Sequence, residues 1–266
     1  DNWGVGLQRT LPNGADFDLA HHQQKVIQKI VDNNGRALIA HYMGTGKTVT
    51  AIAAAKLMMA RPDPVDPDRK HPDNPTRTLI VAPLNTVEQW RQAAQDFDDG
   101  AMVVGAGGND IPIDEFVAGI NSGRFDPDMV CVGPEYFTIH QEKLKKCGFD
   151  GLVVDEVHMG IKNETAERNR VVKAWNDDMK MMLLMTGTPM TTSPTDFVEY
   201  VRLLSNGKQW GDMTAKQFTE EYLEPTPIPQ ELGHLLKTTP KLAVKPSKRG
   251  ELAAILAQWT DIAMPK

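Results

Sequence analysis

Cysteine is scarce in this chain: Cys131 and Cys147 are the only two among 266 residues, and Cys131 lies in an apolar, strand-like run. Both read as buried, inert thiols rather than a disulfide or a metal pair. No zinc site is implied either, because the histidines are scattered, His21 and His22 are the only neighbours, and no His/Cys cluster has ligand spacing. Long apolar runs are missing too; none approaches the about 18 residues that a membrane-spanning helix requires. The start, Asp1-Asn2-Trp3-Gly4, lacks the basic-then-apolar order of a signal peptide. The expectation is therefore no membrane partner and a cytoplasmic location, nuclear if the source is eukaryotic. Positive charge is not in excess. A net charge of −6 argues against a broadly basic nucleic-acid binder but leaves room for a local basic groove. No internal repeat and no sustained heptad pattern is present.

What remains is a composition 41% hydrophobic and 24% charged, sufficient for one large α/β domain or two small ones. The most informative stretch is Arg36 to Thr50. Arg36 to Ala40 is an apolar run that predicts a buried strand, and Val49 to Met59 is Ala-rich with helical spacing, so a tight glycine turn joins strand to helix. Gly44 and Gly46 let backbone N–H groups close around an oxyanion. The helix beginning near Lys47 directs its positive dipole end there, Lys47 adds a full charge, and Thr48 supplies a hydroxyl for Mg²⁺. The strict phosphate-loop pattern asks for glycine where this chain has His41, so the match is to the looser Gly-x-Gly-Lys-Thr form. A plain glycine turn with a solvated Lys47 is the competing reading.

Further apolar runs at Thr78 to Ala82, Ala101 to Gly105, Asp128 to Gly133, Phe149 to Val154 and Lys180 to Met185 read as strands. Helical segments near Thr86 to Phe97 and Ile113 to Ile120 separate some of them. Such alternation predicts a parallel sheet covered on both faces, with ligands at the carboxyl ends of its strands. Asp155-Glu156-Val157-His158 follows one strand: Asp155 is placed to hold the same Mg²⁺ as Thr48, and Glu156 to orient or deprotonate an attacking water. Thr186-Gly187-Thr188-Pro189 follows another, and is expected beside His158.

Residues 1 to 18 read as an irregular lead-in, and Leu19 to Val31 as a one-sided helix with Gln23 early in it. The proline-rich, alternately charged segment Arg61 to Arg77 reads as an exposed, mobile insertion. After residue 205 strand alternation ceases. Phe197 to Leu204, Thr214 to Tyr222 and Glu251 to Ile262 read as helices, and Lys237 to Lys248 as basic and extended. Lys237, Lys241, Lys245, Lys248 and Arg249 form either a solvated face or one for an anionic partner.

The order of these motifs resembles the first RecA-like lobe of a superfamily 2 helicase, and within that group the Swi/Snf-type double-stranded DNA translocases. The resemblance runs from about Leu19 to Leu223. Leu19-Ala-His-His-Gln23 is similar to the family's leading Gln motif, which implies that Gln23 reads adenine. Met43-Gly-Thr-Gly-Lys-Thr48 matches its first motif, including Met43, and a departure at the position of His41 is common there. Leu79-Ile-Val-Ala-Pro-Leu84 with Trp90 looks like the segment that touches the DNA backbone. Asp155-Glu-Val-His158 followed by Ile161-Lys-Asn163 is the most characteristic piece, with one extra residue between its parts. Leu184-Met-Thr-Gly-Thr-Pro189 matches the third motif. Gly133-Pro134-Glu135-Tyr136 departs from the family, which has hydroxyl residues there, so no DNA contact is assigned to it.

The resemblance implies an α/β, RecA-like lobe over residues 19–205, its mostly parallel sheet covered by helices on both faces. A helical extension, 206–266, would lead toward a second lobe that this chain does not contain, and a start at Asp1 without Met suggests a fragment. It implies an ATP site of Gln23, Met43, Gly44, Thr45, Gly46, Lys47 and Thr48, Mg²⁺ at Thr48 and Asp155, and catalysis by Lys47 and Glu156. Coupling would run through His158, Thr186, Gly187 and Thr188, and DNA contacts through Pro83, Asn85, Lys162 and Asn163. The implied activity is ATP hydrolysis driving movement on duplex DNA, poor without the second lobe and its arginine. Competing readings are a strand-separating helicase or restriction-system motor and, in another class, a non-hydrolysing nucleotide-sensing scaffold. A small-molecule kinase leaves the third motif unexplained and lacks a recognisable substrate lid.

Overall fold

In the computed structural model, residues 9–10, 16–17, 19–61, 65–66, 69–97, 102–105, 111–159, 167–188, 195–225 and 242–263 are described. Two short antiparallel strands, β1 (Arg9–Thr10) and β2 (Asp16–Phe17), precede α1 (His21–Asp32). The glycine loop lies between β3 (Arg36–His41) and α2 (Lys47–Ala60). There follow β4 (Thr78–Val81), α3 (Leu84–Phe97), β5 (Met102–Val104), α4 (Ile113–Asn121) and β6 (Met129–Val132). Then come α5 (Pro134–Leu144), β7 (Gly151–Val154), α6 (Glu167–Asn176) and β8 (Met181–Met185). The last part holds α7 (Asp196–Leu204), α8 (Ala215–Tyr222), β9 (Leu223–Pro225), β10 (Leu242–Val244), α9 (Arg249–Trp259) and β11 (Thr260–Ala263).

Among the described residues seven strands form one sheet in the order β11-β3-β8-β7-β4-β6-β5, every neighbouring pair parallel. Because side chains alternate along a strand, each apolar run feeds two cores. Leu38, Ala40, Leu79, Val81, Leu152, Val154, Met182 and Leu184 enter one with Phe116, Phe137 and Trp175. Ala37, Ile39, Ile80, Val153, Leu183 and Met185 enter the other, against Val26, Ile30, Ile52, Met58 and Trp90. Burying one such aliphatic side chain stabilises the fold by about 1.5–3 kcal/mol. In α2, Ala51, Ile52, Ala53, Ala54 and Ala55 are all buried, so small side chains let this helix pack closely on several sides.

The parallel register carries distant segments to one edge. β3, β8, β7 and β4 are consecutive in the sheet, so the loops after them leave it side by side. Leu38 pairs with Leu184, Leu184 with Val154, and Val154 with Val81. The expected alternating architecture is what the chain forms, and α5 and α6 add helices between β6, β7 and β8.

Three expectations change. The last helix ends at Trp259, and Thr260–Ala263 is a strand parallel to β3, so strand alternation does return after residue 205. Amphipathic spacing over 251–262 carries no information about the unpaired edge of β3, which accepts Thr260 and Ile262 as β-branched strand residues. The proline-rich insertion is anchored at its base, where Arg61 and Asn74 are buried. Asn74 Nδ2 donates to the carbonyls of Met59 (3.2 Å) and Arg61 (2.7 Å), and Arg61 donates to Asn74 Oδ1, Asn34 Oδ1 and His71 Nδ1. Part of the basic stretch is engaged internally: Lys248 bonds Glu221 and Glu251 and lies over the Tyr222 ring, and Lys245 donates to the Glu220 carbonyl. Lys237 and Lys241 lie outside the described residues.

A satellite core of Val198, Val201, Trp210, Phe218, Tyr222, Leu223 and Leu252 joins α7, α8 and α9. Tyr222 Oη accepts from Trp210 Nε1 (3.2 Å) and donates to Glu251 (2.6 Å).

Candidate nucleotide site

The loop after β3 is shaped by two glycines with positive φ, Gly44 at 78° and Gly46 at 80°, where side-chain-bearing residues are disfavoured. Gly46 is also sterically confined, since a Cβ there would lie 2.6 Å from Gln23 Nε2. It opens α2 without any side-chain cap, which leaves the helix's first amides and positive dipole end for an anion. Thr45 Oγ1 (2.7 Å) and Lys47 Nζ (3.4 Å) both donate to the Tyr42 carbonyl. From α1, Gln23 Nε2 donates to the Gly46 carbonyl (3.3 Å) and His22 Nε2 to the Thr45 carbonyl (3.0 Å). The loop is thus gripped through the carbonyls of Tyr42, Thr45 and Gly46, and the Thr45 N–H also donates to the Tyr42 carbonyl (3.4 Å). Gln23 Oε1 accepts from the Ala20 N–H (2.8 Å).

Beyond β7 the backbone turns sharply, with Glu156 at a φ of 49°. Asp155 Oδ1 accepts the Glu156 N–H (2.9 Å), and Oδ2 accepts the indole Nε1–H of Trp90 (3.0 Å). Burial pushes the Asp155 carboxyl above its ordinary range, Glu156 adds repulsion, and Trp90 and Lys47 pull the other way. Glu156 Oε2 lies 3.2 Å from His158 Nδ1 and accepts the Gly187 N–H at 3.4 Å. His158 Nδ1 is also 2.9 Å from the hydroxyl of the buried Thr186, which accepts the Thr188 N–H (2.9 Å). The acidic pair and the third loop are therefore one hydrogen-bonded unit. That unit reaches the phosphate loop, because a Cβ on Gly187 would lie 3.4 Å from Met43 and 3.7 Å from Lys47 Nζ.

Met43, Gly44, Gly46, Lys47, Thr48, Asp155 and Glu156 line one cleft of about 290 Å³, closed on another side by Thr86, Gln89 and Ala93 of α3. Among the described residues no three His, Cys, Asp or Glu side chains converge on a point that would hold a metal ion unaided. The donor set suits a cation shared with a polyphosphate. It consists of a hydroxyl, a desolvated carboxylate with one donor per oxygen, a lysine and open helix amides, and magnesium takes few protein ligands beside phosphate oxygens.

Pro83 is half-buried and Asn85 exposed, both just past β4 on the same edge of the sheet. Lys162 and Asn163 lie outside the described residues, as does Pro189. Trp90 requires a correction: it is 1% exposed, so it faces no external ligand, and its N–H serves Asp155. His22 and the α3 wall were not anticipated. Thr86, Gln89 and Ala93 recur at i, i+3 and i+7, a helical face adjoining the apolar Val87, Trp90 and Ala94, and that spacing was the available signal.

An all-parallel sheet that brings a phosphate loop, an acidic pair and a hydroxyl-bearing loop to neighbouring strand ends defines a RecA-like P-loop lobe. The chain belongs to the SNF2-related domain family, whose model matches residues 20–257. It is 26% identical over 226 residues to the uncharacterized ATP-dependent helicase YqhH of Bacillus subtilis, covering 84% of this chain and 35% of that protein. It is 26% identical over 221 residues to the human lymphoid-specific helicase, covering 79% and 25%. To the helicase SWR1 of Eremothecium gossypii it is 24% identical over 206 residues, covering 75% and 13%. The chain thus spans about a third or less of these relatives. The Sulfolobus solfataricus SWI2/SNF2 ATPase core, solved in complex with dsDNA, shares the fold with a TM-score of 0.61 at 18% identity, covering 92% of this chain and 44% of that one. No helix among the described residues is long and apolar enough to cross a membrane.

Proposed function

We propose that this chain is the nucleotide-binding first lobe of an ATP-driven translocase that acts on duplex DNA. Residues 19–205 form the body of the lobe, Thr260–Ala263 adds an edge strand to its sheet, and the helical part of 206–266 leads toward a second RecA-like lobe. The observation that carries this reading is that Lys47, Thr48, Asp155 and Glu156, distant in sequence, line a single cleft. Family membership and the named helicases among its relatives support it.

Each residue then has a task. The amides of Gly44 to Thr48 cradle the phosphates, Lys47 sets its charge on the β and γ groups, and Thr48 and Asp155 hold magnesium. When bound, magnesium neutralises charge that develops on the transferred phosphoryl group. Glu156 polarises the attacking water. Gln23 keeps one N–H and one lone pair for adenine after its bonds to Gly46 and Ala20. His158, Thr186, Gly187 and Thr188 sense the γ-phosphate; His158 and Gly187 contact Glu156 directly, and Thr186 and Thr188 connect to it through His158. The proposed DNA contacts are Pro83, Asn85, Lys162 and Asn163.

An arginine from a second lobe is typically worth about 10³ to 10⁵ in turnover, so this chain alone binds Mg-ATP weakly and hydrolyses it very slowly. Calorimetric titration tests the site: Lys47→Ala abolishes binding, whereas Glu156→Gln retains it. In a two-lobe protein Glu156→Gln stops hydrolysis, and turnover at the parent rate means that another group is the base. Strand displacement by that protein would replace translocation with unwinding, and vigorous DNA-stimulated hydrolysis by these 266 residues contradicts the division of labour.

A further inference from the structure

His41, the last residue of β3 before the phosphate loop, is fully buried. Its Nε2–H donates to Asp261 Oδ1 at 2.9 Å, while Nδ1 has no hydrogen-bond partner among the described residues. Asp261 comes from β11, whose register sets Ala263 opposite His41 and Ile262 opposite Ala40. The same carboxylate lies 3.7 Å from Lys29 Nζ on α1. Lys29 also donates to the carbonyls of Ala257 (2.9 Å) and Thr260 (2.7 Å), and Asn33 Nδ2 to that of Gln258 (2.7 Å). These carbonyls end α9, where a helix needs outside donors and favours a cation.

The α9–β11 segment is therefore fastened to both elements that shape the phosphate loop. One is β3, which runs into it. The other is α1, whose His22 and Gln23 hold the Thr45 and Gly46 carbonyls. A surface strand attached only by its ladder would not need a buried His–Asp pair 220 residues apart in sequence.

We propose that Asp261, acting through His41, is a positioning residue for the phosphate loop, and that β11 is thereby coupled to nucleotide occupancy. This rests on the nucleotide-site reading above. Linkage makes the effect reciprocal: if docking of β11 favours nucleotide, nucleotide favours docking of β11 by the same factor.

The test is amide hydrogen exchange on the full 266-residue chain, with and without Mg²⁺ and a non-hydrolysable ATP analogue. Exchange at 260–263 is expected to slow by at least about fivefold on binding, and Asp261→Asn to weaken analogue affinity by a similar factor. In Asp261→Asn the phosphate loop should exchange faster while the strands β4, β6 and β7 keep parent protection, which a general loss of stability would not produce. The exchanged pair, His41→Asp with Asp261→His, should recover part of the affinity that His41→Asp loses. If the analogue binds the parent but leaves exchange at 260–263 unchanged, the coupling is overturned and the nucleotide site stands. If it does not bind the parent at all, the site reading falls and the coupling with it.

Discussion

Trp90 and Asp155 share a hydrogen bond of 3.0 Å between a buried indole N–H and the carboxylate that faces the cleft. The tryptophan is packed against the sheet as part of a core, so its donor is held where the carboxylate needs it. Replacing it by phenylalanine keeps most of the apolar volume and deletes only the donor. Trp90→Phe should lower stability by about 1–3 kcal/mol, the cost of an unsatisfied buried polar group, and raise the Mg²⁺ concentration for half-maximal nucleotide binding. Urea denaturation and a Mg²⁺ titration check the two effects separately, and an unchanged titration would reduce Trp90 to packing alone.

Gly44 and Gly46 have nearly the same φ but different surroundings. Among the described residues beyond its chain neighbours, no atom lies within 4 Å of a Cβ on Gly44, whereas Gln23 Nε2 lies 2.6 Å from one on Gly46. Gly44→Ala should cost only the left-handed backbone penalty of about 1–2 kcal/mol, and Gly46→Ala more, because it also displaces Gln23. Thermal unfolding of the two variants gives the order, and the reverse order is incompatible with the Gln23 contact.

Asp261 supplies a pH signature. Burial disfavours its charge, but the hydrogen bond from His41 and the charge of Lys29 outweigh that and hold its carboxyl below the usual range. A depressed folded-state value contributes stability above the unfolded value of about 3.9 and loses it as pH falls through the folded one. The difference in urea midpoint between the parent and Asp261→Asn should shrink as pH falls below about 4. A difference that grows on acidification would mean the pair does not hold the charge.

The base of the proline-rich insertion is far from the cleft, at the other end of α2. Asn74→Ala removes two donated bonds and one acceptor from a buried position and should destabilise the chain by about 1–3 kcal/mol while leaving nucleotide affinity unaltered. Paired denaturation and binding measurements decide it; a loss of affinity would show that this end communicates with the site.

Much of the lobe was legible because its signals are local. Apolar runs marked β3, β4, β6, β7 and β8, and each chemistry-bearing group sits within a few residues of a strand end. The positions of Lys47, Asp155, Glu156 and Thr186 at strand ends are thus legible without any knowledge of packing. What was not legible depends on partners remote in sequence. Trp90 reads as a surface contact because nothing near it names Asp155, and Thr260–Ile262 reads as helical because its strand partner begins at Arg36. Asn74 appeared to be one more polar loop residue, although burial beside Arg61 makes it an anchor. His22 was hidden for a similar reason: its target is a backbone carbonyl, and carbonyls leave no mark in a sequence.

The partnership of β3 with β11 joins one of the first strands of the lobe to the last of its described strands. Closing so long a loop is entropically slow, and parallel pairing offers no local nucleus to hasten it. During synthesis the strand that feeds the phosphate loop emerges early and waits, one edge bare, while β4 to β8 assemble beside it. On the proposed coupling, a nascent lobe truncated before Thr260 folds at its centre, with the strand that feeds the phosphate loop left bare along one edge.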